Sequence, residues 1–146
     1  MRYAMILRLK LICILLLLSC NVFAQILNVE ISGIKCDEGV IVLAFFTNQE
    51  SFDEDDPVIL KTVKKDEIYN GTLTVSFDDI PPGKYGIALL DDKNENGKMD
   101  YNFIGLPKEG FGFSNFYQSG FFRPKFNDFA FAFYNDKIIK IRIRYI

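Results

Sequence analysis

A run of oxygen-bearing side chains between residues 91 and 100 has the types and spacing of a metal-binding loop. Aspartate or asparagine stands at positions one, three, five and nine of a calcium-loop pattern, and glycine at position six: Asp92, Asn94, Asn96, Asp100 and Gly97. Alternate short side chains converge on one point when the backbone curls around it, and glycine permits the positive φ of the sharp turn. Because calcium prefers oxygen ligands, the spacing predicts a calcium-type site formed by Asp92, Asn94, Asn96, Lys98 and Asp100.

Two features distinguish this loop from an EF-hand. Position twelve, where an EF-hand carries a bidentate glutamate, is Phe103, and Leu89-Leu90 before the loop belong to a predicted strand rather than a helix. Asp91 or Glu109 could supply a further oxygen. A metal-free polar turn is the alternative, because Asn and Asp bond their own backbone and tolerate left-handed conformations. The position of the loop at the end of a strand favours a structural ion over a sensor or a catalytic metal.

Histidine is absent from the sequence, and its absence limits the kinds of catalysis and metal binding that are open to the protein. Ser-His-Asp and Cys-His catalysis and histidine-ligated metal sites are excluded. We therefore expect a non-catalytic module rather than an enzyme. The alternative is a hydrolase that uses carboxylates alone, such as a glycosidase with an Asp/Glu pair. Its candidate residues lie in and beside the same loop: Asp91, Asp92, Asp100 and Glu109.

The N-terminal residues have the pattern of a targeting segment. An apolar run, Leu11–Leu18, follows basic residues, and Val22 and Ala24 stand at the −3 and −1 positions of a cleavage site. This pattern predicts a signal peptide over residues 1–24 and a secreted or periplasmic protein. The apolar run is too short to span a membrane. The alternative is a lipobox in which Cys20 carries a lipid anchor.

The expected mature domain, residues 25–146, has the length of one domain with a real core and contains no predicted transmembrane segment. Cleavage removes three positive charges (Arg2, Arg8 and Lys10), so the formal net charge falls from −2 to −5. This balance argues against nucleic acid as a partner. The expected partner is a protein, peptide or glycan at the cell envelope, and the sequence does not identify it.

Strand signals dominate the mature chain, and no helical period of useful length is present. Alternating or continuous apolar runs bounded by turn residues predict seven strands, over residues 26–32, 39–46, 58–64, 71–77, 84–90, 129–134 and 137–145. Such a pattern is typical of a single antiparallel β-sandwich of immunoglobulin-like or transthyretin-like type. Gly33 and Gly39 are predicted to bracket a hairpin between the first two strands. The acidic stretch 48–57 is predicted to be a solvated loop anchored by Phe52.

One long segment, Tyr101–Phe126, has no clean period and is rich in aromatic residues. A loop of this length in a compact domain packs on itself or carries function. Its aromatic rings could form a satellite core over the end of the sandwich. Alternatively, four of them line a ligand-binding cleft beside the calcium-type loop and stack on a sugar or peptide: Tyr101, Phe113, Phe116 and Tyr117. The absence of Trp weakens the sugar version.

Four motifs together resemble those of the DUF2141 family of small secreted bacterial proteins. The motifs span residues 77–85 (FDDIPPGKY), 91–100 (DDKNENGKMD), 105–115 (GLPKEGFGFSN) and 124–128 (PKFND). Their order and spacing carry the resemblance, since a lone Asp-x-Asn-x-Asn-Gly would not be specific. The resemblance implies an exported single β-sandwich domain. It implies no reaction, because the family is defined by sequence and not by activity.

Overall fold

The apolar runs of the chain form eight strands and two short helices within residues 25–120 and 122–146, the part that the computed structural model describes. The predictions of a signal peptide and of a lipid anchor at Cys20 lie outside these residues. In chain order the elements are β1 Leu27–Ser32, β2 Val40–Phe46, α1 Gln49–Asp53, β3 Ile59–Lys64, β4 Thr72–Phe77, β5 Gly83–Asp92, β6 Gly110–Phe113, α2 Phe126–Phe129, β7 Ala130–Phe133 and β8 Lys137–Arg142.

The strands form two sheets that face each other, which confirms the predicted β-sandwich. The smaller sheet has the order β4-β1-β8, and the larger has β3-β2-β5-β6, with β7 pairing the same edge of β5 beyond β6. All pairings are antiparallel except that of β1 with β8, where Leu27 lies beside Lys137 in a parallel ladder. The additional strand, β6, lies within the segment that was predicted to be one long loop.

The predicted hairpin between the first two strands is wrong. β1 and β2 belong to different sheets, although Gly33 and Gly39 both take positive φ values, 82° and 74°. After Gly33 the backbone N–H of Ile34 donates to the Gly71 carbonyl at 3.0 Å. This bond holds the segment after β1 beside the turn that precedes β4, and from there the chain crosses to the other sheet.

The main core lies between the sheets, where alternate residues of each strand point inward. It is built from fully buried aliphatic and aromatic side chains such as Val29, Ile31, Leu43, Phe45, Ile87 and Ile139. The strands of both sheets lie between Leu27 and Arg142, and residues of both sheets contribute to this one core. Within the described residues, no helix is both long enough and apolar enough to cross a membrane.

A second hydrophobic cluster covers part of the outer face of the larger sheet. It contains only phenylalanines among its buried members: Phe46, Phe52, Phe113, Phe126 and Phe129. Phe52 comes from α1, whose Asn48 cap accepts the Ser51 N–H at 2.8 Å. The acidic stretch is thus anchored by Phe52, as predicted, and forms a short helix. Helix α2 supplies Phe126 and Phe129, which face the β5 backbone at Gly86, where a β-carbon would lie 2.5 Å from the Phe129 ring.

Candidate binding site beside the Asp92 loop

Strand β5 ends in two aspartates that lie in the ladder, two residues beyond the predicted end of this strand. Asp91 points into the sandwich and is 2% exposed. Its carboxylate forms an ion pair with Lys65, which is also buried, and accepts a hydrogen bond from the Tyr145 hydroxyl. Lys65 Nζ also donates to the Glu38 carbonyl at 2.5 Å. Asp91 is therefore part of a buried polar cluster with Lys65 and Tyr145, and this cluster holds the end of β5 in place.

Burial raises the pKa of Tyr145 well above its ordinary value of 10, and the hydrogen bond to Asp91 adds to the rise. The Tyr145 hydroxyl also accepts the Lys35 N–H at 3.2 Å. The neutral phenol is the form that can donate to the carboxylate. The cluster therefore consists of the Lys65–Asp91 ion pair and a neutral Tyr145 that donates to it.

Asp92 begins the calcium-type loop and organises its backbone. The side chain is 1% exposed, Oδ1 accepts the Asn96 N–H at 3.2 Å, and Oδ2 accepts the Gly97 N–H at 2.7 Å. Gly97 has φ of 75°, the left-handed conformation that the pattern predicts. On the other side, a side chain at Gly39 would come within 2.1 Å of the Asp92 carbonyl oxygen. The loop is thus held tightly against the start of β2.

The other predicted ligands meet at Asp100. The amide nitrogens of Asn94 and Asn96 donate to Asp100 Oδ2 at 2.6 and 3.1 Å. Asn94 Oδ1 accepts the Asn96 N–H at 3.1 Å, and Asn96 Oδ1 accepts the Lys98 N–H at 2.8 Å. The structure therefore gathers all five predicted residues, counting the Lys98 backbone, into one hydrogen-bonded loop.

Glu109 joins the two ends of this loop. It is 7% exposed, its Oε1 accepts the Lys93 N–H at 3.1 Å, and its Oε2 accepts the Asp100 N–H at 3.2 Å. Within the described residues, no group of three or more His, Cys, Asp and Glu side chains could hold a metal ion. A cation in the loop would therefore draw on asparagine and backbone oxygens besides the carboxylates of Asp92 and Asp100.

An apolar groove of about 800 Å³ opens on the outer face of the larger sheet, beside the loop. Its floor contains two alanines, Ala44 and Ala88, which are direct neighbours across the β2–β5 ladder. Because these side chains are small, they leave space between the larger side chains around them. The walls come from aromatic and aliphatic residues of the sheet, α1 and the segment after the loop, including Phe46, Phe52, Met99, Leu106, Phe111 and Phe113.

A few polar groups interrupt the apolar lining. Asp55, Lys98, Gln118 and Arg123 reach the groove. The Arg123 guanidinium lies 4.0 Å from the centroid of the Phe52 ring. Gln118 Oε1 is buried without a hydrogen-bond partner within residues 25–120 and 122–146, although its amide nitrogen donates to the Phe122 carbonyl. Because a buried acceptor without a partner is unfavourable, a ligand that carries a hydrogen-bond donor suits this position.

Of the four aromatic residues predicted to line a cleft, two line the groove and two lie elsewhere. Tyr101 and Phe113 line the groove. Phe116 packs against the outer phenylalanine cluster, and Tyr117 is half exposed with the Arg142 guanidinium 4.8 Å from its ring centroid. Sequence reasoning missed the alanine floor. The signal was present in the second apolar face of β2 and β5, where small residues alternate with large ones.

Comparison with known families gives a match that covers most of this arrangement. A family described as "Uncharacterized protein conserved in bacteria (DUF2141)" matches residues 29–141. Comparisons with curated proteins and with solved structures give no match. The matched span runs from β1 to β8 and includes the Asp92 loop, Glu109 and most of the groove. The chain belongs to the DUF2141 family.

Proposed function

We propose that this protein is an exported, non-catalytic binding module that takes an apolar ligand into the groove beside the Asp92 loop. The observation that carries the proposal is the continuity between loop and groove. Lys98 belongs to the predicted calcium-type loop and also lines the groove, and Met99, Tyr101 and Leu106 follow it as one wall. A cation bound in the loop would therefore fix the position of that wall.

The size and lining of the groove support ligand binding. Small-molecule sites are concave, mostly apolar and about 300–1,000 Å³ in volume, with a few polar groups that orient the ligand. The groove has about 800 Å³, and its lining includes three residues with polar or cationic side chains, Gln118, Lys98 and Arg123. An apolar body with a donor or an anionic end is the complementary ligand.

The chemistry of the Asp92 loop supports a structural calcium ion. Asp92 and Asp100 bring two negative charges to one loop. The amide oxygens of Asn94 and Asn96 accept the N–H groups of Asn96 and Lys98, and each oxygen keeps a second lone pair that an ion could use. An ion bound by these oxygens would add to the hydrogen bonds that hold the loop closed.

A carboxylate-only hydrolase receives less support from the geometry. It requires two carboxylates that face one cleft. Asp91 is ion-paired in the interior, and both carboxylate oxygens of Asp92 and of Glu109 accept backbone N–H groups. Among the described residues that line the groove, Asp55 is the only one with a side-chain carboxylate. Our proposal therefore assigns no catalytic residue.

Dye binding tests the groove. We expect an uncharged naphthylamine dye to bind the 25–146 protein saturably, with increased fluorescence. Ala88→Leu should weaken this binding about tenfold or more, because a larger side chain fills the floor. Ala132→Leu is the matched control, since Ala132 is exposed on β7. Equal dye affinity in the two variants would contradict the assignment of the groove.

Thermal unfolding tests the ion independently of the groove. Millimolar calcium should raise the Tm of the 25–146 protein by several degrees, because a ligand that binds only the folded state stabilises it. Asp100→Asn should abolish the calcium-dependent rise. Asp78→Asn removes an exposed carboxylate elsewhere and should leave the rise intact. An unchanged Tm, together with no heat of binding in calorimetry, would remove calcium from the proposal and leave the groove unaffected.

A further inference from the structure

A short hairpin projects from the chain after the Asp92 loop and carries unusually exposed apolar side chains. Tyr101 and Pro107 pair as an isolated bridge at its base. Between them the Asn102 N–H donates to the Leu106 carbonyl at 2.9 Å, and the Gly105 N–H donates to the Asn102 carbonyl at 3.0 Å. We call the segment Tyr101–Pro107 the Asn102 hairpin.

The Asn102 side chain holds the tip of this hairpin in one shape. Its Oδ1 accepts the N–H groups of Ile104 at 3.0 Å and of Leu106 at 2.9 Å. Gly105 completes the turn with φ of 79°. Four backbone N–H groups, those of Asn102, Ile104, Gly105 and Leu106, are thus bonded within the hairpin, so its shape does not depend on burying the side chains at the tip.

Those side chains are large and apolar. Phe103 is 99% exposed and Ile104 is 64% exposed, while Tyr101 at the base is 59% exposed. Leaving such residues in water on an ordered turn forgoes the free energy of burying them. Contiguous exposed apolar side chains of this kind mark a surface that contacts a partner.

The shape of the tip favours a lipid surface over a protein. A specific protein interface buries about 800 Å² on each partner and needs a broad complementary patch, which two side chains on a narrow turn do not provide. A bilayer accepts isolated apolar side chains below its headgroups. An amphipathic tyrosine is suited to the headgroup level, where its ring is apolar and its hydroxyl is wet.

The local charges agree with this orientation. Lys98 and Lys108 flank the hairpin in sequence, both are exposed, and neither ammonium group has a partner within the described residues. The nearby carboxylates of Asp100 and Glu109 accept hydrogen bonds within the loop, and between Asp92 and Glu109 the one exposed acidic residue is Glu95. Cations beside an apolar tip attract lipid phosphates.

We propose that the Asn102 hairpin docks this protein on a lipid bilayer, with Phe103 and Ile104 inserted, Tyr101 at the headgroups, and Lys98 and Lys108 against lipid phosphates. The proposal requires neither a ligand in the groove nor an ion in the loop. It gives an exported protein a peripheral position at a membrane surface.

A single tryptophan reports on the insertion. The sequence contains no Trp, so Phe103→Trp places one fluorophore at the tip. With vesicles of phosphatidylethanolamine and phosphatidylglycerol, we expect its emission to shift to the blue and brominated acyl chains to quench it. Tyr134→Trp is the matched control, because Tyr134 is also exposed and follows the end of β7 that pairs with Gly83, away from Asp92. Its emission should not shift.

Vesicle sedimentation tests the energetic role of the tip. Phe103→Ser with Ile104→Ser should weaken binding about tenfold or more, because both buried side chains are lost. The Tm should be unchanged, since these side chains are exposed in the folded protein. Lys98→Ala with Lys108→Ala should weaken binding to anionic vesicles more than to zwitterionic ones. Absent sedimentation of the unaltered protein, or equal binding of the serine double variant, would overturn the proposal.

Discussion

Replacing Lys65 with methionine is expected to destabilise the protein severely. The Lys65 and Asp91 side chains are 1% and 2% exposed, so the substitution leaves a carboxylate in the interior without its charge partner. Breaking a buried ion pair in this way costs about 3–5 kcal/mol. A domain of this size has a total stability of roughly 5–15 kcal/mol. We therefore expect the Tm to fall on the order of 15 °C.

A double-mutant cycle separates the ion pair from simple loss of packing. Asp91→Leu alone should also be strongly destabilising, because it strands the Lys65 ammonium group. The combination of Lys65→Met and Asp91→Leu should be more stable than either single variant, because an apolar pair of similar volume can replace a buried ion pair. About 1 kcal/mol of deficit should persist, since the Tyr145 hydroxyl loses its acceptor.

Urea unfolding monitored by circular dichroism provides the free energies for the cycle. The Lys61–Asp79 pair is the matched control, with side chains 26% and 59% exposed. Lys61→Met should shift the urea midpoint little, because exposed ion pairs are screened by water. If the effects of Lys65→Met and Asp91→Leu simply add in the double variant, the two buried charges are not coupled and the reasoning fails.

Further predictions concern the same end of the sandwich. Burial holds the pKa of Tyr145 above 10. Above pH 10 the Tyr145 phenol therefore loses its proton in the unfolded chain but keeps it in the folded one. The free energy of unfolding then falls by up to about 1.4 kcal/mol for each pH unit. Tyr145→Phe should flatten this decline in unfolding experiments from pH 9.5 upward, whereas the exposed control Tyr69→Phe should not. Gly39→Ala should unfold the protein, or lower its free energy of unfolding several times more than Gly97→Ala does. Both residues have positive φ, but only a β-carbon at Gly39 would meet backbone, at 2.1 Å from the Asp92 carbonyl oxygen. Comparable urea midpoints for the two alanine variants would contradict the close approach.

Local periodicity was sufficient to predict most of the fold. Strands such as β1 and β4 alternate strictly, and their inward residues in the structure are those of the predicted apolar face. The calcium-type loop was predicted from spacing alone, and its members do converge. These features depend on residues close together in sequence, which is why one sequence reveals them.

Features that depend on distant contacts escaped prediction. Strand β6 contains Gly110 and Gly112, which are poor strand formers in isolation. In the structure, β-carbons there would lie 2.5 Å from the Tyr145 ring and 2.7 Å from Ile141 Cγ2, so glycine allows β6 to approach the inward side chains of the last strand segment. The alanine floor of the groove depends on the Ala44–Ala88 pairing in the same way.

The parallel pairing of β1 with β8 determines when this protein can fold. β1 is the central strand of the smaller sheet, and it is hydrogen-bonded to a strand near the other end of the chain, with Ile26 and Asp136 110 positions apart. During synthesis the sheet cannot close until β8 has left the ribosome, and contacts this distant in sequence form slowly. The edge of β1 that pairs with β8 therefore stays unpaired in the nascent chain until β8 emerges, and the smaller sheet is completed later than the β2–β3 pair of the larger one.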